Sequence, residues 1–335
     1  MKDEEIKAFQ ELLSTPKKVV IIPHRSPDGD AMGSTLGLYH FLKKLNHTAV
    51  VIAPNEFPDF LAWLPAADEV RIFEKEKEQT AELILNADLV CTLDFNAFHR
   101  TGEMEHILKK VTAPILMIDH HQKPDDYATY QFSDTAYGST CEMVYHFITQ
   151  LGFKSQMDQI IATCIYTGIV TDSGSFRFPS TTSTTHRVVA ELIDLGIENG
   201  AIHNALFDTN SYDRLQLLGQ ALQNMKLIHD KKTSYITLTQ SELDRYHYVK
   251  GDTEGIVNYG LSVDGIVFTA IFIEHKEENI IKISFRSQGD FDVNQFARTH
   301  FNGGGHINAA GGKSYLSMRE TVAKFLDILS NTPLN

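Results

Sequence analysis

The chain has 335 residues, 42% hydrophobic and 22% charged, which is more than one ordinary core needs and suits a globular protein of two domains. Its 43 acidic and 30 basic residues leave a net charge of −13, which disfavours long duplex DNA as a partner. A small phosphorylated substrate is not excluded, because bound cations can supply the positive field locally.

In chain order, MKDEEIKAFQELL reads as an acidic amphipathic helix rather than a signal peptide. Short apolar runs then alternate with helical patterns. Val19 to Ile22, Ala49 to Ala53, Val70 to Phe73, Ala87 to Asp94 and Pro114 to Asp119 read as strands. Met32 to Leu45, with apolar residues at helical spacing, reads as a helix, and further helices are expected near 139–151, 159–171 and 183–195. Strands alternating with helices predict an α/β fold: a parallel sheet with helices on both faces. Residues 1–195 form this expected domain, and 196–229 look like a helical linker. Residues 230–335 read as a smaller α+β domain. In it, Val267 to His275 and Ile280 to Ser287 form an antiparallel hairpin, followed by helices over 293–300 and 318–329. No run approaches the roughly 20 apolar residues of a membrane span. Cys91, Cys141 and Cys164 are too few and too scattered for a disulfide framework or a zinc site, so a cytoplasmic location is expected.

The chemistry-bearing residues fall at the carboxyl ends of the strands, where ligands bind in such sheets. After the first strand comes Pro23-His24-Arg25-Ser26-Pro27-Asp28-Gly29-Asp30. As a turn this is unremarkable, with Asp30 able to cap the next helix and Gly29 letting the backbone curl. Asp94, however, ends a second strand, and Asp119-His120-His121 ends a third. One such acidic strand end is ordinarily structural; three on one rim require cations nearby. Asp172, in Thr171-Asp172-Ser173-Gly174, is a weak signal alone and gains weight from the others. Carboxylates with imidazoles and no thiolate favour Mn²⁺ or Mg²⁺. Several carboxylates at one site suit two ions about 4 Å apart, able to clamp a phosphoryl group. The absence of a GxxxxGK[ST] loop favours hydrolysis over transfer from a nucleotide.

Farther on, Gly303-Gly304-Gly305-His306 opens a glycine-rich stretch that reads either as a surface loop or as an anion-binding nest of N–H groups with His306 as an added donor. Arg286, in Ser284-Phe285-Arg286-Ser287, lies on an expected strand, where its fork could hold a phosphate or stack on a base.

These motifs, in this order, resemble the DHH phosphoesterase superfamily: HRSPDGDAMGS (24–34), LDF around Asp94, DHH (119–121) and TGIVTDSGSF (168–176). The tail, SFRS (284–287) and NGGGHINAAGG (302–312), resembles the substrate-binding domain of the nanoRNase branch, which includes oligoribonucleases with 3′-phosphoadenosine-5′-phosphate (pAp) phosphatase activity. The resemblance implies one ion held by His24, Asp28 and Asp94. It implies a second held by Asp30, Asp94, His120 and Asp172, with Asp94 bridging. Asp119 would orient the triplet and His121 would contact the reacting phosphoryl group. Ser284, Arg286, Gly303, Gly304, Gly305 and His306 would hold the rest of the substrate. The expected activity is Mn²⁺-dependent hydrolysis of very short single-stranded RNA, dinucleotides and pAp; Mg²⁺ is the alternative ion, and a homodimer is an open possibility. A hydrolase of linear pApA is the nearest alternative. A polyphosphate or pyrophosphate hydrolase comes next, and a nucleotide sensor without activity last, because the ligand set is intact.

Overall fold

The computed structural model describes residues 2–332. Two compact units emerge, the first ending at Thr209 and the second beginning at Asn210. In chain order the first contains α1 (Asp3–Leu12), β1 (Lys18–Ile22), α2 (Gly29–Lys44), β2 (Thr48–Ala53), β3 (Arg71–Ile72), α3 (Lys77–Leu85) and β4 (Leu89–Leu93). It continues with α4 (Glu105–Leu108), β5 (Ile115–Asp119), β6 (Tyr130–Ser133), α5 (Thr140–Gln150), α6 (Gln159–Asp172), α7 (Ser183–Asp194) and α8 (Asn199–Phe207).

The six strands make one parallel sheet in the order β3-β2-β1-β4-β5-β6. Alternate residues feed opposite faces, as a two-residue period demands. Val19, Ile21, Cys91 and Ile118 join a core with α1, α2, α5 and α6, while Val20, Ile22, Val90 and Ile115 join a second with α3 and α4. The expected layering, helices on both faces of a parallel sheet, is therefore present. One strand, β6, has no counterpart in the sequence reading: Tyr130-Gln131-Phe132-Ser133 is short and only Phe132 is buried.

The chain runs outward from β1 to β3 in one direction and from β4 to β6 in the other, so the order reverses between neighbours β1 and β4. A crevice opens at such a reversal, beyond the carboxyl ends of the strands. Helix α2 starts there and is buried from Gly29 to Tyr39. Glycines allow its close approach to α6: a Cβ on Gly33 would lie 2.5 Å from the Cys164 carbonyl oxygen, and one on Gly168 would lie 2.9 Å from Asp30 Cα.

The second unit contains α9 (Tyr212–Asn224), β7 (Lys226–Ile228), β8 (Thr233–Leu238), α10 (Gln240–Arg245), α11 (Asn258–Leu261), β9 (Phe268–His275) and β10 (Ile280–Ser287). It ends with α12 (Val293–His300), β11 (Gly304–Gly305), β12 (Ala309–Ser314) and α13 (Met318–Ser330). Its sheet has the order β11-β12-β10-β9-β8-β7, antiparallel except between β8 and β9. The expected hairpin is β9–β10. Phe268, Phe272, Ile283 and Phe285 pack with α12 and α13 on one face; Ile236, Ile271 and Ile273 pack with α9 and α10 on the other. Residues 196–229 divide between the units: Ile202 and Leu206 of α8 join the first core, and Leu217 and Ala221 of α9 join a core of the second. None of the helices among the described residues is long and apolar enough to cross a membrane.

Candidate active site

Everything expected on the rim of the first unit is gathered there. His24 follows β1 and Asp94 follows β4, side by side at the reversal point. Asp28 and Asp30 begin α2, Asp119-His120-His121 closes β5, and Asp172 is the last residue of α6. Asp28, not Asp30, caps α2: its Oδ1 accepts the N–H groups of Asp30 and Ala31, each at 3.1 Å. Gly29 supplies space rather than a curled backbone, since a Cβ there would meet the Thr171 side chain at 2.5 Å. Asp94 does adopt a left-handed backbone, with φ 64°, a conformation that costs a non-glycine residue about 1–3 kcal/mol and clusters at functional sites.

Two groups of donor atoms result. In one, His24 Nε2 lies 3.8 Å from Asp28 Oδ2 and 3.5 Å from Asp94 Oδ2. In the other, His120 Nε2 lies 3.7 Å from Asp30 Oδ2, 3.4 Å from Asp94 Oδ1 and 3.3 Å from Asp172 Oδ2. Asp94 thus offers one oxygen to each. The other ring nitrogen of each histidine is engaged: His24 Nδ1 is 2.9 Å from the Arg25 carbonyl oxygen and His120 Nδ1 is 3.3 Å from that of Tyr137. Donation from Nδ1 leaves the Nε2 lone pairs aimed inward. His121 differs. Its Nδ1 is 2.7 Å from Asp119 Oδ1, which orients the ring, and Asp119 is fully buried.

The charges respond to this crowding. Burial disfavours a charged His24, but its contact with Asp94 and the charge of Asp28 outweigh that and hold it up at about 9. His120 is held well up against the same burial penalty by Asp94 and Asp172. Burial also opposes ionisation of Asp94, yet His120 and His24 keep it well below the usual carboxylate range. Asp30 and Asp172 are driven well up, by burial first and then by the charges of Asp94 and Asp30 respectively.

A divalent ion fits this donor set. Carboxylate oxygens and imidazole nitrogens converge, and the separations of 3.3–3.8 Å exceed normal hydrogen bonds. For metal–ligand bonds of about 2.1 Å, ligand atoms on one ion sit about 3–4.2 Å apart. The sets His24–Asp28–Asp94 and Asp30–His120–Asp172 each place one ligand atom per residue within 4.8 Å of the others.

Sequence reading missed the residues that hold these carboxylates. Asp30 accepts the N–H groups of Thr140 at 2.6 Å and Cys141 at 2.8 Å, and Asp94 accepts the Thr140 hydroxyl at 2.9 Å. The helix expected near 139–151 carried no sign that its start approaches the rim.

Ser284, Arg286, Gly303, Gly304, Gly305 and His306 belong to the second unit. Ser284 and Arg286 alternate with the buried Ile283 and Phe285, so they share the opposite face of β10, and they pair with Gly311 and Ala309 of β12. The glycine run is not an open nest of N–H groups. Gly303 N–H donates to Ala297 O, Gly305 N–H to Asn294 Oδ1 and His306 N–H to Ala309 O. The glycines allow close pairing instead, since a Cβ on Gly303 would lie 1.9 Å from the Gly311 carbonyl oxygen. Buried Asn294, which fixes Gly305, carried no signal in the sequence.

A parallel α/β sheet with acidic and imidazole donors at its reversal point defines a metal-dependent phosphoesterase. Residues 18–169 match the DHH family, N-terminal domain, and residues 235–332 match the DHHA1 domain. The chain belongs to the DHH family. It is 31% identical to the bifunctional oligoribonuclease and PAP phosphatase NrnA of Thermus thermophilus, over 92% of this chain and 88% of that one. It is 29% identical to the Bacillus subtilis protein of the same name, over 89% of each. An exopolyphosphatase-related protein of Bacteroides fragilis, solved by crystallography, is 40% identical with a TM-score of 0.95, over 98% of this chain and 96% of that one.

Proposed function

We propose that this chain is a two-metal hydrolase, using Mn²⁺, that releases mononucleotides from very short single-stranded RNA and removes the 3′-phosphate of pAp. The observation that carries the reading is the division of Asp94, with Oδ2 toward His24 and Oδ1 toward His120. In this reading His24, Asp28 and Asp94 hold one ion, and Asp30, Asp94, His120 and Asp172 hold the other. When bound, such a pair supplies charge for the phosphoryl oxygens and lowers the pKa of water. Asp119 fixes His121, whose Nε2 contacts the reacting phosphoryl group and stabilises its developing charge. Arg286 and Ser284, with the 303–306 segment, bind phosphate or base. The net charge of −13 favours short substrates over long duplexes, and three buried free cysteines suit a reducing cytoplasm.

Relatives named for oligoribonuclease and PAP phosphatase activity support this substrate class. The name of the Bacteroides fragilis relative raises polyphosphate as a second reading. A panel of pAp, pApA, RNA from 2-mers to 10-mers, pyrophosphate and polyphosphate, each with Mn²⁺, separates them. The expected result is fastest turnover of pAp and the shortest RNAs, lost in Asp94→Ala. Preference for polyphosphate or long RNA, or full activity in Asp94→Ala, would overturn the proposal.

A further inference from the structure

A carboxylate that serves two donor groups must be held in one rotation, because the terminal torsion of an aspartate is intrinsically soft. The left-handed backbone at Asp94 aims the side chain but does not fix that torsion. Among the hydrogen bonds to Asp94, one comes from outside the two donor groups: the Thr140 hydroxyl reaches Oδ1 at 2.9 Å. Thr140 is the first residue of α5 and is fully buried. Its N–H simultaneously donates to Asp30 Oδ2, so a single residue touches a carboxylate on β4's end and another on α2.

The first turn of α5 is itself fixed. Ser139 caps it by accepting from the Glu142 N–H at 3.1 Å, and Glu142, also buried, accepts from the Thr185 hydroxyl at 2.9 Å. That last bond ties α5 to the capped start of α7. The hydroxyl of Thr140 is therefore delivered from a rigid support rather than from a mobile loop.

We propose that Thr140 is a positioning residue of the site. Its hydroxyl sets the Asp94 carboxylate so that Oδ1 serves the Asp30–His120–Asp172 group and Oδ2 serves the His24–Asp28 group. This rests on the two-metal reading above. Packing alone would require only the shape of threonine, which valine reproduces. Positioning requires the hydroxyl, which serine retains.

The test compares the full-length wild type with Thr140→Val and Thr140→Ser, using calorimetric Mn²⁺ titration and electron paramagnetic resonance at two equivalents of Mn²⁺. The wild type is expected to show two bound ions and an exchange-coupled spectrum. Thr140→Val is expected to bind the second ion about 10–100-fold more weakly, as for other partners of ligating groups, and to show isolated Mn²⁺. Thr140→Ser should keep the coupled spectrum. Coupling of wild-type strength in Thr140→Val, or equal loss in Thr140→Ser, would overturn the proposal. If Thr140→Val does not fold, Thr140→Ala takes its place with the same expectations. A wild type without a coupled pair would instead remove the two-metal reading, and the role of Thr140 with it.

Discussion

Protons and metal ions compete for the same atoms at this rim. His24 is held up at about 9, and His120, Asp30 and Asp172 are also held well up, so in the metal-free chain these four groups hold their protons more tightly than usual. A divalent ion needs neutral imidazoles and ionised carboxylates, so its binding releases protons. The sign follows: a reaction that releases protons is favoured as pH rises, and affinity should climb through the neutral range toward about 9, where His24 loses its proton unaided. Mn²⁺ titration in two buffers of different ionisation heat should show net proton release and tighter binding at higher pH. Proton uptake, or affinity independent of pH, would contradict the ligand assignment. At this scale the sequence was most informative where a residue type is chemically conspicuous: a buried-strand end such as Asp94, or the Asp119-His120-His121 triplet. It was silent on Thr140 and Asn294, whose roles depend on which distant atoms the fold brings within 3 Å of them. A threonine at a helix start looks the same whether its hydroxyl meets solvent or Asp94.

The start of α2 joins stability and chemistry in one side chain. Asp28 Oδ1 caps the helix, while Oδ2 faces His24 Nε2 at 3.8 Å. Asparagine caps as well as aspartate but offers no charge to a cation. Asp28→Asn should therefore leave the metal-free melting temperature close to wild type and weaken Mn²⁺ binding by at least about 10-fold. Asp28→Ala should lose both, with about 1 kcal/mol of stability measurable by urea unfolding. A metal-free Asp28→Asn as unstable as Asp28→Ala would show that charge, not capping, matters at this helix start. Elements such as α5, α6 and α12 were readable because periodic apolar residues and a polar cap coincide, as Ser139, Asp158 and Asp292 show. The division of 196–229 was not readable. Ile202 and Leu217 are alike in the sequence, and nothing local says that one enters the first core and the other the second.

The molecule as a whole divides its apolar interior between two units. All six proposed ligands lie in the unit ending at Thr209, whose cores share no residue with those of the second unit. A ligand that binds only the folded state stabilises it by about 2.7 kcal/mol at a free concentration 100 times its Kd. For a unit of this size that corresponds to a rise of about 5–10 °C in Tm. The effect should be large because the ion also relieves repulsion among Asp30, Asp94 and Asp172, which burial otherwise makes costly. Differential scanning calorimetry of the full chain should then show Mn²⁺ raising the transition of the first unit, with the transition of the second moving much less. Tryptophan fluorescence assigns the transitions, because Trp63 is the single tryptophan and lies in the first unit. Chelation should return the first transition to its starting temperature. If Mn²⁺ moved both transitions equally, the two units would have to unfold as one, and their separate cores would not be separate in energy. If it moved neither, the cluster around Asp94 would not be a metal centre.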